Sequence, residues 1–212
     1  MAKGLGTLTV WLSANTKQLT SGLAAGRKML AQWKTSAAIG AAAGAAAITG
    51  AGISAVKSFM EQENALASLQ QTLKSTNFAA GFNLDQLKDF SGELQKTSTF
   101  GDEAIQKGMS VLATFTNVKG DVFKDATQSA LDMSTALGTD VQSSVIQLGK
   151  ALNDPIKGIT ALSGVGVSFT DKQKDSIKAL VEAGKMQEAQ QIILNELQTE
   201  FSGQAAAAAN TT

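Results

Sequence analysis

The chain of 212 residues contains no cysteine, no histidine and no tyrosine, and only one proline. Without Cys and His it has no zinc site of the usual ligand set, no Cys-His or Ser-His-Asp nucleophile system and no disulfide framework. Any acid/base chemistry falls to carboxylates or lysine. Aromatic residues make up only 5% of the chain. An apolar fraction of 43% would ordinarily build a solid core, but 34 of the residues are alanine. Alanine favours helix and buries little area. Twenty glycines against one proline point to flexible breaks rather than stiff linkers. The composition is that of a lightly cored helical protein from a reducing or redox-indifferent setting.

Acids are missing from the front of the chain. Residues 1–60 carry Lys3, Lys17, Arg27, Lys28, Lys34 and Lys57 and no Asp or Glu. From Glu61 onward there are 12 basic and 18 acidic residues, so a net charge of zero hides halves of +6 and −6. Such polarity points to a basic arm that meets a membrane, a nucleic acid or an acidic partner. Sequence-specific nucleic-acid binding is not supported: Arg27 is the only arginine, and the basic residues are not interleaved with stacking aromatics. The basic contact face is assigned to Lys17, Arg27, Lys28 and Lys34.

The hydrophobic pattern divides the chain into four stretches. In 1–34, Leu8, Val10 and Leu12 alternate with polar neighbours and read as one short β-strand. Leu19, Leu23, Leu30 and Trp33 then fall on one face of a basic amphipathic helix. In 35–75, Thr35 to Val56 are 22 consecutive uncharged residues rich in Ala, Gly and Ile. The length suits a membrane span, but leucine and phenylalanine are absent. Gly40 and Gly44, followed by Gly50 and Gly52, suit close helix packing between copies. Both readings, helix packing and membrane insertion, stand at this point. Phe59, Leu66, Leu69 and Leu73 extend the helical spacing, so 35–75 reads as one long helix, broken by Thr76 to Gly81.

In 76–201 the spacing predicts a series of shorter helices. Asn83 starts one carrying Leu84, Leu87, Phe90 and Leu94. Asp102, Asp121 and Asp140, each 19 residues apart, start three more, the first running through Met109 and Leu112 to Thr116. Short connections make neighbouring helices antiparallel. Asp154-Pro155 ends that series, and Asp171 to Ala183 and Met186 to Phe201 add two helices. Residues 202–212 read as an alanine-rich tail without cap or terminator. The expected fold class is all-α: a long Ala/Gly-rich helix, then short antiparallel helices, with one N-terminal strand.

No catalytic, cofactor or metal site emerges. Asp102, Asp121, Asp140 and Asp171 stand at helix starts, where a carboxylate satisfies free amides and complements the helix dipole. Asp85 and Asp89 read as solvated surface. EF-hand and phosphate-loop patterns are absent, and Gly164 and Gly166 lie in a turn with no basic residue beside them.

The segment Lys150-Ala151-Leu152-Asn153-Asp154-Pro155-Ile156-Lys157-Gly158, followed by Ala161-Leu162-Ser163-Gly164-Val165-Gly166-Val167-Ser168-Phe169-Thr170, closely resembles bacteriophage tail length tape measure proteins. Ile177 to Gly184, Ala189 to Leu194 and Phe201-Ser202-Gly203 follow the same pattern. So does the front, from the strand through the basic helix to Lys57-Ser58-Phe59. The resemblance implies a structural and assembly protein that sets tail length inside the tail tube and leaves ahead of the DNA. It implies tail tube protein and tail assembly chaperones as partners, self-association of several copies and contact with the host inner membrane on ejection. The implied location is the tail tube lumen of the virion, after assembly in the host cytoplasm. Family members are usually longer, so the gene is expected to continue past Thr212. The alternative is a membrane-active helical protein, pore-forming or translocating, that inserts residues 35–56.

The acid-free front generates a first prediction. A peptide of residues 15–60 should bind anionic vesicles in preference to neutral ones at low salt, with each of the four basic residues contributing about 1 kcal/mol at the surface. Equal partitioning in a sedimentation assay would remove the electrostatic part of this reading.

Overall fold

A computed structural model of the chain describes residues 50–211. The expected strand at Leu8–Leu12, the basic amphipathic helix and residues 35–49 of the uncharged run lie outside the described residues. Val56–Thr212 form one compact unit. Every regular element among the described residues is helical, as the three- and four-residue spacings require.

The first helix, α1, spans Gly50–Ser75. Its Ala65, Leu69 and Leu73 are fully buried, one residue per turn on a single face. It stops where the expected break lies. Phe78 N–H donates back to the Leu73 carbonyl at 2.7 Å, and Asn77 and Phe78 both take left-handed backbone with φ 52° and 55°. Asparagine adopts that conformation readily, whereas a bulky residue such as Phe78 adopts it at a cost.

Helix α2, Leu84–Lys96, opens on a capping box in which Asn83 and Gln86 exchange side-chain and backbone hydrogen bonds. Helix α3, Asp102–Leu112, follows Gly101, and α4, Asp121–Leu137, follows Gly120. Asp102 and Asp121 therefore occupy the first helical position and make no capping bond. Both complement the helix dipole, and Asp102 also accepts from the Gln62 and Gln106 side-chain amides. Asp140 does cap α5, Val141–Asn153, accepting from the Ser143 N–H at 2.8 Å and the Ser143 hydroxyl at 2.6 Å. The 19-residue rhythm is real, but the aspartates it marks play two different parts.

Helix α3 ends four residues before Thr116. Phe115 and Val118 N–H groups bond three residues back, to Leu112 and Phe115, and this tighter turn buries Val118 while leaving Thr116 exposed. Burial of the valine, not continuation of the period, sets the boundary.

Helix α4 is the centre of the unit. It packs against α3, α5 and α8, Met186–Phe201, and against α9, Gln204–Ala209. Ten of its residues are buried and they surround the helix: Val122, Phe123 and Leu131 alongside Thr127, Ser129, Asp132 and Ser134. A helix enclosed on all sides needs small residues to admit its neighbours, and Ala126, Ser129 and Ala130 supply them. The alanine run expected to trail as a tail instead forms α9 and docks on α4. The Ala205 N–H donates to the buried Asp132 carboxylate at 2.9 Å.

Every ion pair among the described residues is local, three or four residues apart, and exposed: Lys57–Glu61, Lys157–Asp154, Lys174–Asp171 and Lys185–Glu188. Pairs of this kind add little stability. Cohesion rests on apolar burial and on helix ends that are chemically closed. Replacing the N-cap of α7, Asp171–Glu182, tests the second contribution. Thr170 caps Gln173 in a full capping box, and Thr170→Ala should lower unfolding free energy by about 1 kcal/mol in urea titration.

Candidate functional site

Of the residues assigned to helix packing or a membrane segment, Gly50 and Gly52 fall in the first turn of α1. Gly40 and Gly44 lie outside the described residues, as do Lys17, Arg27, Lys28 and Lys34 of the basic face. No helix among the described residues is long and apolar enough to cross a membrane. Among the same residues no cluster of acids is arranged to hold a metal ion.

The segment that carries the resemblance is described in full, and its chemistry is architectural. Asp154 closes α5 and opens α6, Pro155–Ser163, its carboxylate accepting from the Lys157 N–H at 3.4 Å. Pro155 takes the first helical position, where its missing N–H costs nothing. Hydrogen bonding from Lys157 holds the Asp154 carboxyl below its ordinary pKa. The two helices then meet backbone to backbone. Gly158 lies against Ala151, and a Cβ at Gly158 would overlap the Ala151 carbonyl and Cα. Gly149, on α5, lies under the Phe115 ring, where a Cβ would also overlap.

Helix α6 leads into a turn at Gly164 to Gly166, in which Gly166 has φ 101°, a conformation glycine adopts freely. The turn delivers Val167 and Phe169 to the core and presents the Ser168 N–H to the Glu200 carboxylate on α8 at 3.0 Å. Thr170 then caps α7, whose Gln173 also reaches Glu196 on α8. The block from Asn153 to Thr170 is therefore built largely from residues with a local structural task. Asp154, Pro155, Gly158 and Gly166 turn the chain, and Val167 and Phe169 fasten it.

Gln190 on α8 ties this corner down. Its buried amide donates to the Leu152 carbonyl at 2.9 Å and the Asn117 carbonyl at 3.0 Å. Leu152 sits in the last turn of α5, where carbonyls lose their intrahelical partners. Sequence reading missed Gln190 because its position in the apolar series of α8 gives no sign that it serves another helix. Asp132 was missed for the same reason. Other buried or half-buried polar seams join helix pairs: Gln62 on Asp102, Gln106 on Ser91, Ser68 and Thr72 on Ser110, and Ser134 on Ser144.

Two further carboxylates are perturbed. Burial raises Asp125 above its ordinary pKa, opposed by the Gln191 side chain and assisted by the neighbouring Asp121 charge. Bonding from the Ser143 hydroxyl and N–H lowers Asp140. The signs differ: Asp140 stabilises the fold at neutral pH and loses that contribution as pH falls through its depressed pKa. Asp125 opposes the fold once pH rises through its elevated one. Neither carboxylate makes an ion pair among the described residues, and the arrangement reads as structural.

A family model described as prophage tail length tape measure protein matches residues 14–178. The chain belongs to this family. The match takes in the basic segment near its front, the whole α5–α6 corner and most of α7. No curated protein and no solved structure matches the chain. Membership makes it a structural protein of the phage tail, and the corner described above is what the recognisable motif builds.

The close approach at that corner is open to test. Gly158→Ala should cost about 1–3 kcal/mol, the scale of overpacking in a dense interior. Gly92, on α2, has nothing within 4 Å of the place a methyl group would occupy, so Gly92→Ala should leave the melting temperature unchanged or raise it. Equal melting temperatures for Gly158→Ala and the unaltered chain would mean the corner tolerates separation.

Proposed function

We propose that this chain sets tail length from inside the tail tube and leaves ahead of the DNA during genome delivery. The observation that carries the reading is the family match across residues 14–178. The helical character of the described residues supports it, since a ruler made of helix converts residue number into length at about 1.5 Å per residue. The absence of cysteine supports passage through a narrow tube, because no disulfide holds the bundle against unfolding.

The partners are tail tube protein, tail assembly chaperones and further copies of the chain, with the host inner membrane met on ejection. Assembly takes place in the host cytoplasm, and the assembled chain occupies the tube lumen. No catalytic step and no cofactor enter this role. Sequence-specific nucleic-acid binding has no part in it either.

Length counting separates two kinds of residue. Fully extended as helix, the 212 residues would reach roughly 320 Å. Helices α2 to α9 fold back on one another, so they contribute far less reach than their residue number. In-frame deletions within extended helical stretches should shorten the tail by about 1.5 Å per residue removed, measured on negatively stained virions. Substitutions that unfold the bundle, such as Leu131→Asp, should reduce the number of tails without grading their length. Constant tail length across a graded deletion series would exclude this chain as the ruler.

A further inference from the structure

Helix α9 is held in a different way from the longer helices. It has six residues, five of them alanine, and Gly203 ahead of it brings no capping side chain. A helix so short does not persist alone in water. It packs on α4, where Ala205 is fully buried and its N–H donates to one oxygen of Asp132 at 2.9 Å. A carboxylate on α4 thus supplies the cap that Gly203 lacks. The other Asp132 oxygen accepts from the Gln128 amide at 3.3 Å, and no lysine or arginine pairs with this buried acid among the described residues.

The joint between α8 and α9 is open. Helices α4 and α7 end at left-handed Gly138 and Gly184, and there the next N–H closes the helix by bonding five residues back. Thr139 bonds to Ser134 at 3.0 Å and Lys185 to Leu180 at 2.8 Å. Gly203 is left-handed too, with φ 79°, but Ser202 before it is extended, with ψ 140°. No backbone bond of the closing kind spans this joint among the described residues. A Cβ on Gly203 would meet nothing within 4 Å, so only backbone conformation sets the bend.

We propose that α9 is a hinged arm. It swings about Ser202–Gly203 between its seat on α4 and a second position that continues α8 as one helix from Met186 to Ala209. In the second position the amides of Gly203, Gln204 and Ala205 bond to the carbonyls of Thr199, Glu200 and Phe201. The Ala205 N–H therefore exchanges the Asp132 carboxylate for the Phe201 carbonyl, and Asp132 gains water in place of the amide. Neither position strands a polar group. Alanine suits both, because it favours helix and its methyl group buries little on docking. The swing does not depend on the tail role proposed above.

Because the chain has no cysteine, nitroxide labels at Gln187→Cys and Asn210→Cys, both exposed positions, report the α8–α9 separation in the full chain. Pulsed electron paramagnetic resonance reads it, with an excess of unlabelled chain keeping the signal within one copy. In one straight helix the two positions lie about 35 Å apart along the axis, and the bent form is shorter. The labelled chain without further change should show chiefly the shorter distance. Gly203→Ala should move the ratio towards the longer one by about thirtyfold, since alanine is strained in left-handed backbone and favoured inside a helix. Gly203→Asn, which tolerates left-handed backbone, should keep the shorter distance. Asp132→Ala should move the ratio the same way as Gly203→Ala, by about tenfold. A single short distance in Gly203→Ala, alone and combined with Asp132→Ala, would overturn the hinge. A broad distribution with no peak near 35 Å would mean that α9 melts instead of continuing α8, and would overturn it as well.

Discussion

The bundle depends on how closely α5 and α6 approach at their shared corner. Gly158 against Ala151 puts two helix backbones in contact, so α6 leaves α5 in a direction fixed by the absence of a side chain. That direction decides where the turn at Gly164 to Gly166 emerges, and therefore where Val167 and Phe169 enter the core. It also decides where Thr170 can start α7. Helix α8 then lies against α4, α6 and α7 and reaches with Gln190 into the end of α5. A methyl group at Gly158 would act on all of these together, because each is positioned by the one before it.

Much of the architecture was legible in the residues because it follows from periodicity and end chemistry. Asn83 and Asp140 announce helix starts through the hydrogen bonds their side chains can make, and the starts of α2 and α5 fall beside them; at α7 the cap is Thr170, and Asp171, expected to close that end, takes the first helical position. Boundaries set by tertiary burial were less legible. Leu112 ends α3 because Val118 is drawn into the core, and nothing local to Thr116 signals this. Leu137 lies on the apolar spacing of α4 but at its last position, next to the left-handed Gly138, where the spacing no longer faces the core.

Buried polar residues were the hardest to foresee. Gln106, Gln190, Asp132 and Ser110 each bond to a helix other than their own, and the choice of partner depends on crossings that one-dimensional spacing does not encode. In a core this rich in alanine and serine, helices come close enough for short side chains to bridge them. The hydrogen bonds at those crossings do part of the positioning that bulky aromatics perform in other helical proteins. The low aromatic content therefore shifts specificity from ring packing to paired polar groups. The family motif follows the same rule, since Asp, Pro and Gly define its corner with no large side chain at the crossing.

Electrostatics follow a different logic from packing. Ion pairs among the described residues stay within a turn of one helix, so they bind no two helices together and leave the acidic excess after Glu61 uncompensated by any arrangement of the fold. A chain with an acid-free front and an acidic bundle repels its own kind when like regions meet and attracts it when unlike regions meet. At physiological ionic strength the attraction acts over about 8 Å, which is enough to select a partner surface but not to hold it. Holding requires apolar burial, and most of the large apolar side chains of the described residues are already spent inside the bundle.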